Sequence, residues 1–168
     1  MRVLRAAASR LAGVRPSRAI ALGALAVGLL DGLDAIVFFG LRGVSPLRIF
    51  QAIAAGLLGR AAFRGGLASA ALGVVLHFSI ALAIVAAYYL ASRGIPTLTR
   101  RPLVWGPLYG VVVYLTMNLV VVPLSAAVTV PPSLPVVLNG LLIHMVGVGA
   151  PSALAAQWAS RSQRGSMP

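Results

Sequence analysis

The sequence predicts an all-α membrane protein with four transmembrane helices and one amphipathic interfacial helix. Of its 168 residues, 60% are hydrophobic and only 10% are charged, and the mean hydropathy is +0.97. A helix needs about 20 apolar residues to cross the hydrocarbon layer of a bilayer, and the apolar runs of the chain leave room for four such helices. Backbone polar groups inside lipid must be paired within each segment, which favours helices over an open sheet.

The charged residues indicate contact with lipid and disfavour nucleic acid as a partner. The chain carries a formal charge of +12, and all of its 14 basic residues are arginine. These arginines flank the apolar runs and form no separate basic domain, so anionic lipid headgroups are the expected partners of the arginine-rich segments. The chain has no cysteine, which excludes a disulfide framework and a thiolate metal site. We interpret residues 1–168 as a single integral membrane domain.

The first span carries the acidic residues of the protein. Residues 1–18 are rich in arginine and are predicted to form a basic cytoplasmic segment at the membrane surface, followed by a span at about residues 19–41. A retained span is favoured over a cleaved secretory signal because the apolar run has no clear small-residue cleavage site. Asp31 and Asp34 lie near its middle, and the chain contains no other Asp or Glu.

A shorter amphipathic segment follows at about residues 46–64. Ser45 is a suitable N-cap and Pro46 a suitable first helical residue. One apolar stripe then runs between arginines, which is typical of an interfacial or re-entrant helix. A fifth span is the alternative, and it is disfavoured because Arg48 and Arg60 would flank only a short apolar core.

Three further apolar runs predict the remaining spans, at about residues 67–90, 103–122 and 136–156. They contain, in chain order, His77, Asn118 and His144. Gly106 and Gly110 near the start of the third span fit a small-residue contact that lets two helices approach closely. The proline-rich stretch between the third and fourth spans is expected to be an ordered, non-helical connection.

The distribution of arginine predicts the orientation. With a cytoplasmic N-terminus, the inner segments carry ten arginines and the outer segments carry four. Because cytoplasmic loops are enriched in positive charge, both termini are predicted to be cytoplasmic.

Five polar residues from all four spans fall at one depth of the membrane. At about 1.5 Å per residue, they lie between the midplane and about 9 Å outward of it. We hypothesise that this layer binds a proton or an ion, its candidate residues being Asp31, Asp34, His77, Asn118 and His144. Carboxylates three residues apart share a helix face and would share a proton. The structural alternative is that the two aspartates are bonded to Asn118 and the histidines and hold the four-helix bundle together.

A short internal similarity suggests a repeat. Residues 72–78 resemble residues 139–145, with Gly73 and Gly140 each four residues before a histidine. A second similarity pairs Asp34 with Asn118. Together they suggest two parallel helical hairpins related by an axis along the membrane normal, in which the two histidines would lie at equivalent depths.

The second half of the chain also resembles a known family. The run from His77 to Ile80, the Gly106 and Gly110 helix that ends at Val122-Pro123-Leu124, and the late Ile143-His144-Met-Val are similar to the YagU-like bacterial inner-membrane proteins. The resemblance covers mainly residues 70–160. It implies a multi-pass helical inner-membrane protein, and it supplies no catalytic residues.

Three functions follow as hypotheses. The first is proton- or ion-linked transport, or envelope stress adaptation, through the buried Asp, His and Asn layer. The second is a redox protein that binds a metal or haem through the two histidines, although no ligand-spacing motif identifies a cofactor. The third is an accessory subunit that binds another membrane protein. A homo-oligomer or a membrane partner is expected because four short spans enclose little volume, and no nucleophile and base pattern favours an enzyme.

Overall fold

A computed structural model describes residues 15–127 and 130–164, with the side chains of residues 162–164 left out. The predicted fold class is confirmed: the described residues are helical, contain no strand, and include four helices long and apolar enough to cross a membrane. The helices are α1 (Pro16–Gly40), α2 (Pro46–Leu58), α3 (Gly66–Gly94), α4 (Pro102–Leu124) and α5 (Leu134–Arg161). Most of the predicted basic segment, residues 1–14, lies outside the described residues.

The helix α2 begins where the sequence predicts and ends at a glycine. The Ser45 hydroxyl accepts a hydrogen bond from the Arg48 backbone N–H at 3.4 Å, and Pro46 is the first helical residue. Gly59 has φ 55°, a left-handed conformation that other residues rarely adopt, and the chain then continues as a 3₁₀-helix (Gly59–Arg64). With 13 residues, α2 is too short to cross a bilayer, which argues against the fifth span.

The spanning helices pack unequally. The first residues of α1 and the last residues of α3 share one buried cluster, so these two helices are antiparallel. The helix α1 packs on both α3 and α5, and α4 packs mainly on α5. By contrast, α3 and α4 do not pack closely along their length, and α2 crosses the first turns of α3. The fold therefore has one open seam, between α3 and α4.

One end of that seam is bridged by tyrosines. The Tyr109 hydroxyl on α4 donates to the backbone carbonyl of Ile84 on α3 at 2.8 Å. The ring of Tyr109 also meets the ring of Tyr88 edge-on, with centroids 4.9 Å apart. These contacts hold α3 and α4 together near the end of the protein that contains Pro16, and they leave the opposite end of the seam unbridged.

Small residues permit the closest crossing, between α4 and α5. A Cβ added to Gly106 would lie 2.8 Å from the Cα of Ala150, and one added to Gly110 would overlap the backbone carbonyl of His144. A Cβ on Gly149 would overlap the backbone of Gly106. The small-residue contact predicted from the sequence is therefore present, and it brings the two backbones into direct contact.

The helix α2 is fixed to α3 by a second close crossing and a buried amide. A Cβ on Gly73 would overlap the backbone carbonyl of Phe50, so only glycine fits there. Gln51 is 2% exposed, and its Nε2 donates to the Gly66 carbonyl at 3.0 Å. The Ser69 hydroxyl donates to the same carbonyl at 3.1 Å.

We expect Gln51→Leu to lower the free energy of unfolding by about 1 kcal/mol, the net contribution of one buried hydrogen bond, because leucine cannot donate to the Gly66 carbonyl. Unfolding in mixed micelles of sodium dodecyl sulfate and a mild detergent measures the change. The exposed Leu57 on the same helix provides a control, and Leu57→Ala should leave the stability nearly unchanged. A loss as large for Leu57→Ala as for Gln51→Leu would contradict the assigned bond.

Candidate functional site

Four of the five predicted site residues line one cavity of about 210 Å³ between the helices. Each comes from a different spanning helix: Asp31 from α1, His77 from α3, Asn118 from α4 and His144 from α5. Ile53 of α2 also lines the cavity. The remaining lining residues are apolar. The cavity is thus a small polar site within the membrane-spanning part of the protein.

Asp31 and His144 face each other across the cavity. The His144 Nδ1 and the Asp31 Oδ1 are 3.9 Å apart, and the Asp31 side chain is 26% exposed. The same Nδ1 donates to the Gly140 carbonyl, one turn earlier in α5, at 2.8 Å. Among the described residues, no group donates a direct hydrogen bond to the Asp31 carboxylate, so it is free to take a proton or another donor.

His77 joins α3 to α1. Its Nε2 lies 2.8 Å from the Gly28 carbonyl. A carbonyl oxygen can only accept, so Nε2 carries the proton and the second ring nitrogen of the neutral imidazole is an acceptor. Gly32 makes room for the ring, because a Cβ there would approach Nε2 to 3.3 Å. His77 therefore stabilises the helix pair and also faces the cavity.

The hydrogen bond of Asn118 differs from the predicted one. Its Nδ2 donates to the Tyr114 carbonyl in its own helix at 2.9 Å, and not to an aspartate or a histidine. Among the described residues, Asn118 therefore does not supply the bond to an aspartate that the structural alternative requires, and this part of α4, Met117–Val121, is a π-helix. The side chain is exposed, and its carbonyl oxygen remains available in the cavity wall.

Asp34 lies outside the cavity lining and is hydrogen-bonded to another side chain. Its Oδ2 accepts a hydrogen bond from the Asn139 Nδ2 on α5 at 2.7 Å. The two aspartates therefore use different partners, and the predicted bonds from Asp34 to Asn118 or the histidines are absent from the described residues. Asn139 was missed as a site residue, although a polar residue in an apolar run was the criterion that identified Asn118.

The two histidines are not bonded alike. His77 bonds a carbonyl of a neighbouring helix, whereas His144 bonds its own helix at the start of a second π-helical segment, His144–Gly149. Gly73 contacts the backbone of α2, and Gly140 contacts the ring of Tyr114. The polar contacts in the two hairpins therefore differ and give the internal repeat no support. The repeat stays a prediction.

Among the described residues, the side chains that could bind a metal ion do not form a cluster. No three His, Cys, Asp or Glu side chains in residues 15–127 and 130–164 lie close enough together to hold a metal ion. A protein metal site commonly uses three or four such ligands.

No protein-family model, curated protein or solved structure matches the chain. The functional argument therefore depends on the geometry of the cavity.

Proposed function

We propose that the protein is a multi-pass four-helix bundle of the bacterial inner membrane, related to the YagU-like proteins, that performs proton- or cation-linked transport through Asp31. The observation that carries the proposal is the cavity lined by Asp31, His77, Asn118 and His144, one residue from each spanning helix. Polar residues that converge inside a membrane typically mark substrate or ion pathways.

The contrast between the two aspartates identifies Asp31 as the exchanging group. An ionised side chain at the centre of a bilayer costs about 2.5–3.5 kcal/mol or more, so it is retained where it has a partner or a function. Asp34 has a short bond to Asn139, which accounts for it structurally. Among the described residues, Asp31 accepts no direct hydrogen bond, and the His144 Nδ1 lies 3.9 Å from its Oδ1. A carboxylate with an incomplete set of partners, next to a histidine, suits the binding and release of a cation.

The orientation in this proposal has both termini in the cytoplasm. On the side of the protein that contains Pro16, Arg93 lies at the end of α3, Arg100 and Arg101 lie in the α3–α4 connection, and Arg161 lies at the end of α5. Arginines at both surfaces would bind anionic lipid headgroups. The many large apolar side chains exposed on all four helices face lipid or a second copy of the chain.

The test is proton flux driven by a pH gradient in proteoliposomes. We expect Asp31→Asn to reduce the flux by about tenfold or more, because the amide has the same shape and cannot carry the proton. Asp34→Asn is the matched control, since Asp34 lies outside the cavity lining, and it should retain most of the flux. Asp31→Glu, which keeps the carboxylate, should retain part of it and shows that loss in Asp31→Asn is not a folding defect. Full flux in a folded Asp31→Asn protein would overturn the proposal.

A further inference from the structure

The polar cavity continues sideways into two apolar grooves. A groove of about 360 Å³ lies between α3 and α4, and one of about 430 Å³ lies between α1, α2 and α4. Ile80 and Met117 line the polar cavity and both grooves, and Ile84 lines the polar cavity and the α3–α4 groove. Ile53 of α2 lines the polar cavity and the α1–α2–α4 groove, so apolar side chains separate the polar site from both grooves.

The α3–α4 groove opens towards the bilayer. It follows the seam in which α3 and α4 do not pack closely, beyond the bridge made by Tyr109. Val112 and Val121 on its α4 wall are 56% and 41% exposed, and Ala83 on its α3 wall is exposed as well. A molecule dissolved in the membrane can therefore approach Asp31 without first crossing a headgroup region.

The polar side chains leave mainly hydrogen-bond acceptors in the cavity. In the neutral form of each histidine, the N–H of His77 donates to the Gly28 carbonyl and that of His144 to the Gly140 carbonyl, which leaves the second ring nitrogen as an acceptor. Asn118 uses one of its two N–H groups within its own helix and keeps its carbonyl oxygen and one N–H. With the Asp31 carboxylate, these groups complement a positively charged donor, such as an ammonium group.

The two grooves differ in charge, because one is lined by an arginine and the other has no charged lining residue. Arg48 lines the α1–α2–α4 groove, and its guanidinium lies over the Phe63 ring, 4.8 Å from the centroid. The chain has only two acidic residues, and neither lines that groove, so no side chain of the lining offsets the charge of Arg48, which disfavours a cation there. The α3–α4 groove has no charged lining residue. A cation is therefore expected to use the α3–α4 groove.

We propose that the site takes lipophilic ammonium cations, an apolar chain with a protonated amine, that reach Asp31 from the bilayer between α3 and α4. The inference rests on the proposed function, because it identifies what exchanges with the proton. The ammonium and the proton bind the same carboxylate, so one positive charge replaces the other and a proton is released as the amine binds. The alkyl chain occupies the α3–α4 groove.

The test is the saturable binding of tritiated decylammonium to the full-length protein in nanodiscs of phosphatidylcholine. Ala83→Phe fills the α3–α4 groove, and Ala52→Phe adds the same ring to the other groove, while neither residue lines the polar cavity. We expect Ala83→Phe to weaken binding by about tenfold or more and Ala52→Phe to leave it within about twofold. Equal effects of the two variants would overturn the assigned route.

Competition identifies the chemistry of the head group. Unlabelled decylammonium should displace the probe, decyltrimethylammonium, which has no N–H donor, should displace it about tenfold less well, and decanoate should not displace it. Asp31→Asn should abolish saturable binding. Displacement by decanoate as strong as by decylammonium would overturn the proposal.

The outcomes of the two tests are distinguishable. Flux that depends on Asp31, together with no saturable decylammonium binding, would overturn this inference and leave the proposed function intact. Saturable binding that depends on Asp31 and on Ala83, together with proton flux that is unchanged in Asp31→Asn, would overturn proton linkage and support an amine-binding site alone.

Discussion

Gly110→Ala is expected to lower the free energy of unfolding by about 3 kcal/mol and to abolish the proton flux. The added Cβ would overlap the backbone carbonyl of His144, which cannot move by rotating a side chain. The helices α4 and α5 must therefore separate, at a cost near the upper end of the roughly 1–3 kcal/mol typical of overpacking. Separation also moves Asn118 on α4 away from His144 on α5 and so opens the cavity. Unfolding in mixed micelles and flux in proteoliposomes measure the two effects.

Gly40 provides the matched control for this substitution. It is the last residue of α1, and a Cβ there would meet no atom within 4 Å. Alanine has a higher helix propensity than glycine by up to about 1 kcal/mol, so Gly40→Ala should leave stability unchanged or raise it slightly. If Gly110→Ala were as harmless as Gly40→Ala, the direct contact between the backbones of α4 and α5 would be wrong.

The second large effect is expected at Gly73, where α2 crosses α3. The Cβ of Gly73→Ala would overlap the Phe50 carbonyl and push α2 away from α3. Ile53 of α2 lines the polar cavity, so its displacement should expose the cavity to water. The chain has no cysteine, which makes Ala81→Cys, in the cavity wall, the single thiol of the protein. We expect this thiol to react with a water-soluble maleimide about tenfold faster in the Gly73→Ala background.

Gly94→Ala is the control for that experiment, because a Cβ on Gly94 would also meet no atom within 4 Å. The rate of labelling at Ala81→Cys should be the same with and without Gly94→Ala. Slow labelling in the Gly73→Ala background would show that α2 does not close the cavity.

The helices were predictable from the sequence because their signals are local. Spans need about 20 apolar residues, and the runs that contain His77, Asn118 and His144 provide them. Ser45 and Pro46 marked the start of α2, and Gly106 and Gly110 marked a helix contact that the structure contains. Each of these features depends on neighbouring residues or on residues one helical turn apart.

The bonding partners of the polar residues could not be predicted in the same way. A regular helix turns by about 100° per residue, and this regularity was assumed when residues were assigned to faces. The π-helical segments Met117–Val121 and His144–Gly149 interrupt this regular turn at the positions of Asn118 and His144. The rotation of α1 against α5 then decides that Asp34 meets Asn139 and Asp31 faces the cavity, and this rotation is set by packing between helices.

The central claim, that Asp31 exchanges a proton inside the membrane, can be tested by infrared difference spectroscopy of the protein in nanodiscs as the pH is changed. The chain has only two acidic side chains, so a carboxyl absorption that titrates can be assigned with two variants. We predict a band of a protonated carboxyl group that disappears in Asp31→Asn, remains in Asp34→Asn and shifts in His144→Gln. A titrating band that is unchanged in Asp31→Asn and lost in Asp34→Asn would contradict the account, because it would place the exchangeable proton outside the cavity.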